Sequence, residues 1–367
     1  MKVKLLDLFP QYEGIKNEID AAIRDVLSSQ QFILGAHVAG FEESFAEYCG
    51  VRHAVGVASG SDAILLALMV LGIGPGDEVV TTSYTFFSTV SSITRLGAKP
   101  VFADIDPGTY NLDPGSVTSV LSAKTKAVVV VHLFGQTVDM DPIVTAAAAR
   151  GIPVIEDACQ SVGALYNGKK AGSLGTAGCF SFFPSKNLGG FGDGGMIVTD
   201  NDALAEKTRL LRGHGARERY FHDEIGINSR LDAIQAAVLQ IKLQHLDEWN
   251  NRRRENAAVY DEQLSNLEGI TVPFVENGNE SIYNQYVIRC SRRDALKTYL
   301  ARNDIGCEIY YPVPLHLQKC FAYLGGGEGD LPETERAAKE TLAIPVYPEL
   351  SEKEIDYVAS KIAEFIK

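Results

Sequence analysis

Apolar positions along the chain fall into two kinds of run. Between residues 14 and 29, Ile15, Ile19, Ile23, Val26 and Leu27 recur at helical spacing on one face, which predicts an amphipathic helix. Residues 32–35 interrupt it, and a second helical pattern occupies 40–48. From residue 54 the pattern changes to short β-rich runs at 54–59, 78–83, 100–106, 127–134, 153–158, 179–183 and 196–200. Helical patterns at 61–71, 86–96, 115–121 and 141–149 fill gaps between them, and another follows the last run at 202–212. Runs such as AVVVVHLF are apolar without alternation, as strands covered on both faces are. Seven such runs predict a large α/β domain on a mostly parallel sheet packed between helices. The last two flank a glycine-rich loop, an arrangement open to antiparallel pairing.

Past Gly226 a long helical pattern covers 229–250 and runs on into 252–267. A smaller α+β segment follows, with strands expected near 286–290 and 306–310 and a closing helix at 352–366. This divides the chain into a large domain, 1–250, carrying the N-terminal helices, and a small C-terminal domain, 251–367. No repeat or low-complexity segment appears.

Composition narrows the partners. A chain of 367 residues with 46% hydrophobic and 22% charged residues has the make-up of a soluble globular protein with a large core. A net charge of −13 without a Lys/Arg-rich block argues against nucleic acid or an anionic membrane as the main partner. It leaves room for a local anion site built from backbone amides. The six cysteines are scattered with no C-x-x-C, so neither a zinc site nor a disulfide framework is expected, and reduced thiols in the cytoplasm are the natural reading. The opening MKVKLLDLFPQYEG has too short an apolar run for a signal peptide, and the longest apolar run, 63–74, is too short to span a bilayer.

Candidate chemistry concentrates in FSFFPSKNLGGFGDGG, residues 180–195, where Lys186 follows an apolar run and precedes five glycines. Such glycine density lets backbone bend sharply and approach a planar ligand. A lysine held beside apolar residues loses solvation, which lowers its pKa and frees the amine to attack a carbonyl. That chemistry suits a Schiff base to pyridoxal phosphate; a plain surface loop is the ordinary alternative.

Other polar groups fall at the C-terminal ends of strands, where open parallel sheets bind ligands. Ser59, Gly60 and Ser61 end the first run and open a helix, which makes either a phosphate site or a simple serine cap. Asp157 ends IPVIED and is placed either to pair with a protonated pyridine nitrogen or to cap a turn. Glu156 points the other way across the pleat, so the two are not a paired-carboxylate site. Phe86 in SYTFFST offers a ring face or a core contact, and His132 in VVVHLFGQ reads as structural.

Taken in order, the motifs FILGAHVAGFEESFAEYCG, ASGSDAILLAL, IEDACQSVGA, FSFFPSKNLGGFGDGG and INSRLDAIQAAVL resemble the DegT/DnrJ/EryC1/StrS family of nucleotide-sugar aminotransferases over nearly the whole chain. The resemblance implies a fold-type-I enzyme that uses pyridoxal 5′-phosphate, with pyridoxamine phosphate between its half-reactions, and works as a homodimer. It implies that Lys186 holds the cofactor and shuttles protons, that Asp157 pairs with the ring nitrogen, and that Gln160 approaches the ring hydroxyl. Phe86 would stack on the ring. Gly60, Ser61 and Ser181 would bind the phosphate, and Asn228 would reach it from the neighbouring subunit. Dehydratases of the family carry histidine at the lysine position, so Lys186 favours transamination. HLFGQ and YYPVPLHLQ look most like relatives that aminate a 3-keto sugar, with Tyr311 and His316 lining the sugar site or merely closing the pocket. The implied reaction moves an amino group from L-glutamate to a nucleotide-linked keto-deoxysugar. The alternatives are a 4-keto enzyme and a non-catalytic cofactor-binding sensor.

Overall fold

The computed structural model describes all 367 residues. Two helices lead, α1 (Phe9–Ser29) and α2 (Ala36–Cys49). Strands and helices then alternate as β1 (His53–Val57), α3 (Gly60–Val70), β2 (Glu78–Thr82), α4 (Phe87–Arg95), β3 (Lys99–Ala103), α5 (Pro114–Val120), β4 (Thr125–Val131), α6 (Met140–Ala148) and β5 (Val154–Asp157). After them come β6 (Ala177–Ser181), β7 (Gly195–Thr199) and α7 (Asp202–Leu211). The seven strands form one sheet in the order β1-β7-β6-β5-β4-β2-β3. Pairings are parallel except those of β7, which runs antiparallel to both β1 and β6.

Alternation along the strands decides the layers. On β6, Cys179 packs with α3 and α7 on one face, and Phe180 packs with α2 and the later helix α8 (Ala233–Leu264) on the other. The same period puts Ile197 on the first face and Met196 and Val198 on the second. With helices on both faces the strands can be apolar throughout, which is why TKAVVVV suits a central position. Side-chain caps start three of the helices: Ser59 accepts from the Asp62 amide, Asp113 from Ser116 and Asn201 from Leu204.

Helix α8 runs unbroken for 32 residues, and Asn250 lies inside it. Its first half joins the core around Phe180 and Phe182, whereas Ala257, Tyr260 and Leu264 join a second core. That second core is built on β8 (Tyr286–Arg289), α9 (Arg293–Arg302), β9 (Thr341–Ile344), reached through α10 (Pro332–Glu340), and α11 (Glu352–Ile366). Val3, from the start of the chain, is buried in it too.

One expected strand is absent. Residues 306–310 form no strand; the segment makes single bridges, Ile305 with Val3 and Glu308 with Ala343. The partner of β8 is β9, in antiparallel register from Tyr286↔Ile344 to Arg289↔Thr341. The small three-stranded sheet of Asn279–Glu280, Leu165–Tyr166 and Lys169–Lys170 has strands of only two residues, too short for any period to announce them.

Candidate active site

A cavity of about 500 Å³ opens beyond the C-terminal ends of β1, β5 and β6. Ser59, Gly60, Ser61, Phe86, Asp157, Gln160, Ser181 and Lys186 line it from the large sheet side. Asn284, Gln285, Tyr310 and Tyr311 line it from the C-terminal part of the chain. Eight of the ten site residues expected from sequence therefore meet in one place.

Lys186 sits in the turn after β6, where its amide donates to the Phe183 carbonyl at 2.9 Å. Its side chain is half-buried, and its amine bonds to no protein group. Burial pushes the ammonium pKa below its usual range, opposed by the Asp157 carboxylate nearby. The glycines behind it are needed for contact: a Cβ on Gly189 would overlap the Pro184 carbonyl, and one on Gly190 would stand 2.8 Å from Gln235 Oε1.

Asp157 is buried, and no Lys, Arg or His bonds it. Thr89 donates its hydroxyl to Oδ2 at 2.8 Å, and the Cys159 amide lies 3.3 Å from Oδ1. Because an ionised carboxylate only accepts, the Thr89 proton is committed to it, and Thr85, 3.0 Å behind, donates to Thr89 in turn. Two hydroxyls in series thus point their protons toward Asp157. Glu156 faces away, as alternation requires. Its oxygens take the Gly172, Leu174 and Gly175 amides at 2.6–2.7 Å and lie 2.8 Å from His132 Nε2. His132 Nδ1 accepts from the Val138 amide, which leaves the ring proton on Nε2 for Glu156. His132 is a wholly buried strut.

At the β1 end, Ser59 caps α3, and the Gly60 and Ser61 amides, first in the helix, have no carbonyl within it to bond. Gly60 is wedged against β6: a Cβ there would lie 2.6 Å from Ser181 Cβ and 2.8 Å from Cys159 Sγ. Phe86 is 57% exposed, which leaves its ring free to cover a ligand. Gln160 Oε1 accepts from the Phe134 amide at 2.8 Å, which turns Nε2 toward the Tyr311 hydroxyl at 3.2 Å. Burial raises the Tyr311 phenol above its ordinary range, so it stays protonated at neutral pH.

Two expected residues lie elsewhere. His316 is not in the cavity; it is buried with Nδ1 2.7 Å from Ser83 Oγ and Nε2 3.2 Å from Glu335, and its ring braces the end of β2. Asn228 is exposed, in a single bridge with Gly213, and does not line the cavity of its own chain. Thr89, Thr85 and Asn284 escaped sequence reading. The only trace of the first two is their spacing of four across a helix start, and polar residues at such spacing are common.

A protein-family model described as the DegT/DnrJ/EryC1/StrS aminotransferase family matches residues 13–363. The chain is 50% identical to the "pleiotropic regulatory protein" of Geobacillus stearothermophilus, over 100% of this chain and 99% of that one. It is 42% identical to the dTDP-3-amino-3,4,6-trideoxy-alpha-D-glucose transaminase of Streptomyces venezuelae, over 99% and 96%. Among solved structures, S. venezuelae DesV in complex with a ketimine intermediate superposes with a TM-score of 0.98 at 42% identity, covering 100% of this chain and 99% of that one. No helix is long and apolar enough to cross a membrane.

Proposed function

The chain belongs to the DegT/DnrJ/EryC1/StrS aminotransferase family, and from that premise we propose that it transfers an amino group from L-glutamate to the C3 ketone of a nucleotide-linked deoxysugar. One observation carries the reading. A half-buried lysine without a partner, a buried carboxylate without a cation, and a helix start that only glycine fits share one cavity. The amine, the anion and the free amides match the aldehyde, the ring nitrogen and the phosphate of pyridoxal 5′-phosphate.

When bound, the cofactor supplies an aldehyde that carries the amino group and a ring that takes up the electrons left when a C–H bond breaks. Lys186 would hold that aldehyde; burial favours its free base, the form that attacks carbonyls. Its Nζ, once free, would take the proton from Cα of glutamate and, with the keto-sugar as substrate, would deliver one to C3. Asp157, which accepts from the Thr89 hydroxyl, would pair with the ring nitrogen. The Gly60 and Ser61 amides and the Ser181 hydroxyl would hold the phosphate. Phe86 would lie against the ring, and Gln160 would present Nε2 to the ring hydroxyl because its oxygen is already engaged by Phe134. Tyr311, beside Gln160, borders the space left for the sugar.

The C3 position rests on the HLFGQ and YYPVPLHLQ motifs and on the name of the Streptomyces transaminase. We assign the protein to the cytoplasm as a homodimer in which Asn228, exposed in its own chain, reaches the neighbour's phosphate site. The cofactor-binding domain is taken as 1–250, with 251–367 closing over it. The name of the Geobacillus relative favours a second reading, a cofactor-binding regulator without turnover. The deciding experiment supplies the purified protein with cofactor, glutamate and a panel of 3-keto and 4-keto nucleotide sugars, and locates the new nitrogen by NMR. Nitrogen at C3 supports the proposal, and nitrogen at C4 corrects the position. No product from any sugar, with Lys186 still labelled by borohydride, supports the regulator.

A further inference from the structure

Three asparagines form a buried chain behind the cavity wall. Asn187, next to the active lysine, is 4% exposed, Asn250 in α8 is 1% and Asn284 is 6%. Asn187 Nδ2 donates to Asn250 Oδ1 at 2.7 Å and to the Ile282 carbonyl at 3.1 Å. Asn250 Nδ2 donates to the Val162 carbonyl at 3.2 Å, and Asn284 Nδ2 donates to Asn187 Oδ1 at 2.9 Å.

Backbone carbonyls fix the direction of the whole chain. The Ile282 oxygen accepts only, so the group of Asn187 beside it is the NH₂, and the Val162 oxygen orients Asn250 in the same way. With both donors of Asn187 spent, its oxygen faces Asn284, which must turn its own NH₂ inward. The oxygen of Asn284 is then the end left over. It has no partner in the protein and is not among the fully buried unpaired atoms, and Asn284 lines the cavity. A side chain this buried has one polar atom open, aimed at whatever fills the cavity.

We propose that Asn284 is a specificity-determining residue whose carboxamide oxygen accepts a hydrogen bond from a hydroxyl of the keto-sugar; this rests on the reading above. An acceptor that cannot flip selects against other acceptors. The carboxylates of glutamate, the diphosphate and the ketone oxygen itself are all acceptors, so none of them docks there. The ammonium of glutamate reacts at the Lys186 end. The donors that remain are hydroxyls of the sugar and of the nucleotide. The nucleotide lies beyond the diphosphate from the reacting ketone, whereas Asn284 is hydrogen-bonded to the neighbour of Lys186, so a sugar hydroxyl is the one that seats on it and turns the ketone toward the lysine.

The test compares wild type, Asn284→Ala and Asn284→Ser on the parent keto-sugar and on deoxy analogues that each lack one hydroxyl. Serine keeps a donor for Asn187, which guards against collapse of the lysine turn. Both variants are expected to lose about 3- to 10-fold in kcat/KM on the parent, mainly through KM, as for one neutral hydrogen bond. Wild type should lose as much on one particular deoxy analogue, on which the variants lose nothing further. Calorimetry should give the same shift in the Kd of the aminated product. Equal losses on every analogue, or equal slowing of the glutamate and sugar half-reactions followed by cofactor absorbance, would overturn the proposal and make Asn284 a brace for Lys186. Should neither variant fold, the wild type still decides, because no analogue losing affinity also overturns it. Failure of the aminotransferase reading shows separately, as a wild type that aminates no sugar at all.

Discussion

Gly60→Ala tests the phosphate cradle with a single methyl group. The new Cβ would stand 2.6 Å from Ser181 Cβ, 2.8 Å from Cys159 Sγ and 3.1 Å from Ser181 Cα. Carbon atoms pack at about 3.5–4.0 Å, so the start of α3 has to retreat by roughly 1 Å. Overpacking of this kind costs about 1–3 kcal/mol. Alanine returns up to about 1 kcal/mol of helix propensity, which leaves a modest net loss in the apoprotein. The larger effect falls on cofactor binding, because the same retreat pulls the Gly60 and Ser61 amides off the phosphate. One hydrogen bond to a charged group is worth about 1.5–3 kcal/mol, so the Kd for pyridoxal phosphate is expected to rise about 10- to 150-fold. Titration of the apoprotein by fluorescence, beside denaturation curves, separates the two effects. Gly40→Ala is the control: it lies in α2 with nothing within 4 Å of the added Cβ, and is expected to be neutral or stabilising. A Gly60→Ala protein that binds cofactor as tightly as wild type would refute the cradle.

Three further outcomes follow from the same geometry. Asp157→Asn should lower turnover about 100-fold with the fold intact by circular dichroism. Thr89→Val should give a smaller fall, about 10-fold, with a shifted pH titration of the cofactor's absorbance that Thr89→Ser restores. Lys242 is buried on α8, donates to the Gly189 carbonyl at 2.6 Å and has its pKa pushed down to about 8 by burial. The folded state therefore binds fewer protons than the unfolded one between that value and the ordinary 10.5. Stability contributed by this residue rises with pH through that window, and the difference between wild type and Lys242→Met in denaturant titrations should change by about 2 kcal/mol from pH 7.5 to 10. A flat difference would reject it. Finally, co-refolded Lys186→Ala and Asn228→Asp chains should regain about a quarter of wild-type activity by random pairing, and no gain over the separate variants would reject a shared site.

Much of this was legible because residues 53–212 repeat one strand–helix pattern. All seven strands of the main sheet overlap the β-rich runs, and the antiparallel pairing around the lysine loop follows from two adjacent runs joined by glycines. The site was legible for the same reason, since Ser59, Asp157 and Lys186 stand at strand ends. The C-terminal part was less so. Tyr286–Arg289 pairs with Thr341–Ile344 across an intervening helical segment, and no local period announces so distant a partner. His316 carried a polar group into a candidate motif, yet its neighbours Ser83 and Glu335 are brought to it only by the fold. Thr89 and Asn284 were silent because their importance lies in what they touch, and sequence spacing does not encode it.

The placement of β7 bears on how the molecule assembles. It is the only strand bonded to β1, and its first residue, Gly195, is in register with Val57 on one side and Ser181 on the other. Before β7 inserts, β1 has no partner in the sheet, and the helix after it meets the lysine strand only through the packing of α3 on β6. Closing the chain from β1 to β7 costs entropy that the ladder returns only when β7 is in place. The phosphate half of the site is thus fixed late, so cofactor present during refolding should deepen the final well more than it hastens the climb toward it.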